Sequence, residues 1–296
     1  MRDSLPEIKK SDLPPEELRR RIENLKHDLS GENLSRMNLD GIKLTDANLM
    51  RADFSECSLK KADFRGSDLM GAKLTECQLS GAVFRGAHLS QASLRESKID
   101  QADFNGANLI EANLAGVDMT RTNLNKTSIT KSRLDSITLE NASCVSSNLT
   151  HSSLKVGRLN GANFTNSKLL QVDLAEAELV GANFTGANLA QSNFTVADLT
   201  DANFSNTQLE NAVFVSAELV RTNFRGANLE KANFEDSDCT DTDFTRANLK
   251  AAKMKEARNL TVAQLQSAIL GANTVLPDHI EIEWKSKKEF VLKERA

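Results

Sequence analysis

No tyrosine occurs in the chain, and it has one tryptophan, four prolines, four cysteines and four histidines. Each shortage closes off a class of function. Without tyrosine, and with no exposed aromatics expected at the basic waist, nothing offers nucleic-acid bases a stacking platform, and direct nucleic-acid binding is not expected. The cysteines form no CxxC pair. The histidines (His27, His88, His151, His279) are scattered, with no Cys, Asp or Glu at a recurring ligand spacing; no metal site is expected. There is no P-loop, GxGxxG or GxSxG run. The chain therefore reads as a non-enzyme with no catalytic residues and no cofactor. No apolar stretch approaches the length of a transmembrane helix. The first ten residues, MRDSLPEIKK, lack the pattern of a signal peptide. A cytoplasmic protein without membrane contact is the expectation.

Charge of one sign is also lacking overall: Lys and Arg number 37 against 41 Asp and Glu, a net charge of −4. The distribution is less even. Residues 121–168 carry seven basic side chains against Asp135 and Glu140, whereas residues 169–220 carry seven acids and no Lys or Arg.

What the chain has in abundance is repetition. In Gly181–Leu199, GANFTGANLAQSNFTVADL, a small residue is followed by Asn or Asp, then by one large apolar residue, then by two mostly small or polar ones. We call the large apolar position the centre. Centres recur every five residues from Leu34 to Met254 without a break, and each is Leu, Phe, Ile, Met or Cys. The position two before the centre is small in nearly every unit, with Glu32, Met37, Ile42 and Ile137 the main exceptions. A period of five fits neither a helix nor a long strand. It fits a short strand, a corner and another short strand, with the centre and the small residue pointing inward. A fixed short period over most of a chain means a solenoid.

These units, typified by Ala-Asn-Phe-Thr-Gly, resemble the pentapeptide-repeat proteins over residues 29–258. The resemblance implies an all-β solenoid: a right-handed, four-sided parallel β-helix of about eleven coils, twenty residues each. The phenylalanines support that geometry independently. Twelve of the thirteen are centres, all at numbers ending in 4 (Phe54 to Phe244), while centres ending in 9 carry none. Two opposite walls therefore hold stacked rings, and Leu fills the other two. Residues 117–160 are weaker repeat, with Met119, Ile129 and Cys144 as centres, and a looser or bent waist is expected. Glycines such as Gly66, Gly86, Gly106, Gly186 and Gly226 fall at corners, where left-handed angles are useful.

Residues 1–28 and 259–296 read as caps. In 11–28 Asp12 is the candidate N-cap, Pro14 and Pro15 suit the first turn, and Leu18, Ile22, Leu25 and Leu29 make an apolar stripe. In 259–270 Thr261 and Gln264 form a capping-box pattern, with Leu265, Ala268 and Ile269 as the apolar face. Ile280, Ile282 and Trp284 alternate with Glu281 and Glu283 as a short strand that could pair with the last coil. The charged end KSKKEFVLKERA is expected to be frayed or helical. All four cysteines point inward. Cys57 and Cys77, twenty residues apart, are column neighbours close enough for a disulfide, although reduced thiols are expected in a cytoplasmic protein.

Two surfaces are candidates for binding a protein partner. One is an outward column of Glu178, Asp198, Glu218 and Asp238, with Asp201 and Asp241 at the next corner and Arg221 the nearby cation. Carboxyls this close should include some that titrate high. The other is the nearly neutral wall whose centres run from Leu49 to Leu249, with Met50, Met70, Ile110 and Leu170 pointing out; the acids are assigned to an adjoining wall. The neutral wall or a terminal segment could also form a homodimer. Three function classes remain: an interaction scaffold for an unidentified protein partner, a DNA mimic, and an enzyme or direct nucleic-acid binder. The resemblance supplies the second, since some pentapeptide-repeat proteins protect DNA gyrase. That role needs a strongly acidic face along much of the rod, and here the waist is basic. The scaffold is the favoured reading.

Overall fold

The computed structural model describes residues 14–286 and 289–295. Each residue that precedes a centre forms a parallel bridge with the residue twenty further on: Asn33 with Asp53, Asp53 with Lys73, and so on to Asp238 with Arg258. Four five-residue units thus make one coil. We number the faces in chain order by their centres: first (Leu34, Phe54), second (Leu39, Leu59), third (Leu44, Phe64) and fourth (Leu49, Leu69).

The amides of one unit explain the repeat, because every backbone N–H needs a partner. In Ala202–Asn206, Ala202 N donates to Leu199 O (2.9 Å) and closes the turn. Asn203 N donates back one coil to Ala182 O (2.9 Å). Phe204 N and Asn206 N donate forward to Asn223 O (2.7 Å) and Arg225 O (2.9 Å). Only Ser205 N lacks a backbone partner, and Asn203 Oδ1 accepts it at 3.0 Å. Every Asn or Asp that precedes a centre does the same, at 2.8–3.4 Å. These two types dominate the position because a short side chain with an acceptor can reach the amide two residues on. Where the position holds another residue, the previous coil can substitute. Asp40, Asn125 and Asn160 accept the amides of Lys60, Val145 and Val180 at 2.8–2.9 Å.

Each corner is a four-residue turn whose third residue is left-handed, from Gly31 (φ 74°) to Ala251 (φ 56°), which is the type II pattern. The corner glycines named above all fall there. Most corners nevertheless carry a side chain in this conformation, including Lys61, Glu176 and Arg221.

The centres are fully buried. Phe164, Phe184, Phe204, Phe224 and Phe244 stack in one column at 4.7–5.6 Å between ring centroids. Phe194, Phe214 and Phe234 stack opposite them at 4.9 Å. Rings of the two columns meet edge to face at 5.4–6.4 Å. Both geometries suit the aromatic quadrupole.

The bridges run through 117–160 at the same interval, so the expected looseness there is overturned in register. The reason is the hydroxyls at the small position. Thr122, Ser132 and Ser152 donate to carbonyls of the previous coil, those of Ile99, Leu109 and Ile129, at 2.6–3.1 Å. Among the described residues no buried side-chain polar atom lacks a partner. Ile137, too large for its position, is followed one coil later by Gly157, where a Cβ would meet Leu154 O and Leu159 Cδ1 at 2.9 Å.

At the start, helix α1 (Pro15–Asn24) follows Pro14, with Pro15 at its first position, and a 3-10 turn covers Lys26–Asp28. Asp12 lies outside the described residues. Leu18, Ile22 and Leu29 are buried. Arg19 Nη1 donates to Asp40 O (2.6 Å), and Glu23 Oε1 accepts Lys43 N (2.8 Å). At the other end, the capping box of Thr261 and Gln264 is formed, but helix α2 is only Val262–Leu265. It stops there because the chain rejoins the ladder: Ile269 bridges Asn248 and Val275 bridges Lys253. Ile269 is correspondingly exposed, not part of an apolar helix face. Strand β1 (Ile280–Trp284) is present, but it pairs antiparallel with β2 (Phe290–Glu294) and not with the last coil. The charged end is therefore a strand, because Phe290 and Leu292 face Trp284 and Ile282 and pack against the core. No helix of the described residues is long and apolar enough to cross a membrane.

Two outcomes are expected. Phe204→Ala removes a ring with stacked and edge contacts on all sides and should cost about 3–5 kcal/mol in chemical denaturation; a loss below about 1 kcal/mol contradicts the packing account. Asn203→Ala should cost about 0.5–1.5 kcal/mol, whereas Asn203→Asp, which keeps the acceptor, should cost much less. Equal losses would show that the acceptor is not what the position supplies.

Candidate interaction surfaces

The inward positions are consumed by the core, so recognition chemistry falls to the outward ones. The thiols illustrate this. Cys57, Cys77, Cys144 and Cys239 are all buried thiols. Cys57 Sγ and Cys77 Sγ donate to Leu34 O (2.9 Å) and Phe54 O (3.0 Å) and are not bonded to each other. Burial pushes the Cys77, Cys144 and Cys239 thiols up to about 12, which removes the thiolate that reactivity needs. Among the described residues no cluster of His, Cys, Asp and Glu is placed to hold a metal ion.

Residues in one column sit about 4.8 Å apart along the stack, and corner side chains twenty residues apart pair. Arg221 holds Asp201 with two bonds of 2.7 Å. That contact with the guanidinium keeps the Asp201 carboxyl below its usual range. Arg36 likewise pairs Glu56 (3.0 Å), and Gln171 donates to Gln191 (2.7 Å).

The second face brings Glu178, Asp198, Glu218 and Asp238 into one bridged column. The four differ in kind. Asp198 and Asp238 are half-buried and tied to the amides of Thr200 (3.0 Å) and Thr240 (2.9 Å). Glu178 and Glu218 are too long for that bond and stand exposed. Glu178 Oε2 accepts from Asn160 (3.3 Å) and lies 3.7 Å from Arg158. Among the described residues no cation stands within ion-pairing distance of Asp198 or Glu218. The expected upward titration fails at Asp238. Burial pushes that carboxyl up, but bonds from Thr240 and Asn259 outweigh it and hold the group below its ordinary value. The acidic column faces away from the neutral wall and does not adjoin it, because two units separate the second face from the fourth.

On the fourth face, Met50 and Met70 are neighbours in one column, while Ile110 and Leu170 stand three coils apart with Thr130 and Thr150 between them. Met50, Ile110 and Leu170 are half-buried, and Met70 is 36 % exposed. The larger exposed apolar residues lie elsewhere. Val156 and Val196, 54 % and 56 % exposed, occupy the corner between the first and second faces, and Val180 lies on the second face itself. Sequence reasoning set the corner positions outward but considered left-handed angles only at the glycines, and so did not single out these valines.

The family model described as pentapeptide repeats matches in eight copies spanning residues 28–141 and 142–195, and one described as a pentapeptide repeat region matches 187–263. No curated protein matches the chain. Among solved structures, the chain is similar to HetL, a pentapeptide repeat protein involved in heterocyst differentiation regulation in the cyanobacterium Nostoc. Identity is 28 %, over 80 % of this chain and 95 % of that one, with a TM-score of 0.38. A pentapeptide repeat protein of the Arabidopsis thaliana thylakoid lumen is 33 % identical over 31 % of this chain and 64 % of its own, with a TM-score of 0.31. QnrB1, a plasmid-mediated fluoroquinolone resistance protein, is 18 % identical over 62 % and 91 %, with a TM-score of 0.42. With both family models matched in tandem across most of its length, the chain belongs to the pentapeptide repeat family.

Proposed function

We infer that the chain is a non-enzymatic interaction protein, a rigid scaffold that presents flat faces to a protein partner. One observation carries the reading: residues 169–220 hold seven acids and no Lys or Arg, and the ladder sets part of that charge in a column on the second face. Fixed charges at strand spacing steer and orient a partner of opposite sign. In this reading residues 29–258 form the binding body, a right-handed four-sided β-helix of about eleven coils. Residues 1–28 and 259–296 close its ends. The hydrogen bonds of Arg19 and Glu23 to the first coils, and of Gln264 to Cys239 O and Thr242 O, support that closure, since an open solenoid end exposes unpaired edges.

The competing reading, protection of DNA gyrase by imitation of a duplex, asks for acid along the whole rod. The basic residues from Arg121 to Lys168 interrupt it. Supercoiling by purified gyrase, with and without a quinolone, should be unchanged by this protein. Restored supercoiling would replace the scaffold by the mimic. Immobilised protein should also capture a partner that soluble protein competes away at a saturable concentration. Failure to capture any such partner from the native host would sink the scaffold reading.

A further inference from the structure

Val156 and Val196 are the β-branched residues among the left-handed corners, with φ of 56° and 60°. A β-branched side chain is a steric outlier in that region. Elsewhere the same turn position holds Gly, Ala251 or a polar residue, with Asn141, Asn166, Asn206 and Asn211 among them. Both valines are also more than half exposed, so neither gains core packing in return. They lie two coils apart in one column, with Glu176 between them. Two side chains that strain the backbone and bury little are unfavourable for the fold alone, and such strain points to a use elsewhere.

Their neighbours are both charged and apolar. Two residues on from this corner runs a column that holds Arg158 beside Val156 and then the acids Glu178, Asp198 and Glu218, and beyond it runs the column of Val180, Thr200 and Val220. Valines therefore flank the acids on both sides, staggered by one coil. Glu178 and Glu218 stand exposed between them, not tethered to a backbone amide as Asp198 and Asp238 are; Arg158 lies 3.7 Å from Glu178, whereas among the described residues no cation is within ion-pairing distance of Glu218. Valines two coils apart are separated by roughly 10 Å. That is close to the rise of about 10.5 Å over seven residues of an α-helix. Lysine or arginine side chains flanking such a helix's apolar stripe would meet the carboxylates.

We propose that this edge, with Val156, Val196, Val180 and Val220 around Glu178 and Glu218, docks a cationic amphipathic helix of a partner protein. The proposal rests on the scaffold reading and names the partner class for its acidic face. The charge excludes a nucleic acid and disfavours an anionic membrane.

The probe is a synthetic helical peptide with Leu at heptad spacing and Lys on both flanks, compared with its Glu-for-Lys counterpart. The full chain is titrated with each, and with vesicles of phosphatidylcholine and phosphatidylglycerol. The Lys peptide should bind saturably and more weakly as salt rises, and neither the Glu peptide nor the vesicles should bind. Val156→Asn with Val196→Asn relieves the backbone, so its thermal midpoint should be equal or higher while peptide affinity falls at least tenfold. Glu178→Gln with Glu218→Gln, on exposed residues, should weaken binding to a similar extent. Equal binding of both peptides, unchanged affinity in either double variant, or binding to vesicles alone overturns the proposal. A host partner captured equally by wild type and the valine variant would overturn this edge while leaving the scaffold intact. A wild-type chain that captures nothing would overturn both.

Discussion

In a regular five-residue unit one backbone amide has no backbone partner, and the rest of the architecture is arranged around that shortfall. Four of the five N–H groups are consumed by the turn and by the coils on either side. The fifth, one residue past the centre, needs a side-chain acceptor close at hand. Asn and Asp supply it from two residues upstream, as Asn183 does for Thr185 and Asn193 does for Thr195 at 3.0–3.1 Å. The inter-coil bonds fix the twenty-residue interval, the interval stacks like on like, and stacking puts the phenylalanines ring on ring. Satisfying buried polar groups is worth little net per bond, but leaving them unmade is costly. A repeat whose inter-coil bonds recur coil after coil therefore holds its register even where the centres vary, as at Met119, Ile129 and Cys144.

The body of the fold was legible in the sequence because its period is strict. Phenylalanines at numbers ending in 4 fix the two aromatic columns without coordinates, and the column arithmetic that groups Glu178 with Asp198, Glu218 and Asp238 is the same arithmetic that the bridges obey. The preference for Asn or Asp was visible, but its reason was not, since the reason is a bond to an amide that only the folded turn leaves open. The termini were the least legible. The apolar pattern after Thr261 suits a helix, yet Ile269 and Val275 return to the ladder, where inter-coil bonds replace helical ones. Phe290 and Leu292 were read within a charged tail, although their alternation with Val291 and Lys293 matches β1 across a hairpin.

On the surface the same limit applies. Charges can be placed in columns from residue numbers alone. Strain follows only once the left-handed angle is known to hold at the corners that carry a side chain as well as at the glycines. Val156 and Val196 gain their meaning only when exposure and φ are read together. The acids divide in the same way. Asp198 and Asp238 support the turn, whereas Glu178 and Glu218, one methylene longer, stand exposed, Glu178 beside Arg158 and Asn160.

The central claim, that the Asn or Asp before a centre serves the one amide left over in its unit, is tested most directly by residue-resolved amide hydrogen exchange of the native protein. Thr185 and Ser205, bonded to Asn183 and Asn203, should be protected, though less than the amides of Phe184 and Phe204, which join one coil to the next. Thr75 and Arg85 follow Lys73 and Val83, which offer no such acceptor, and should exchange far faster. Equal protection across all four positions after a centre would contradict the account.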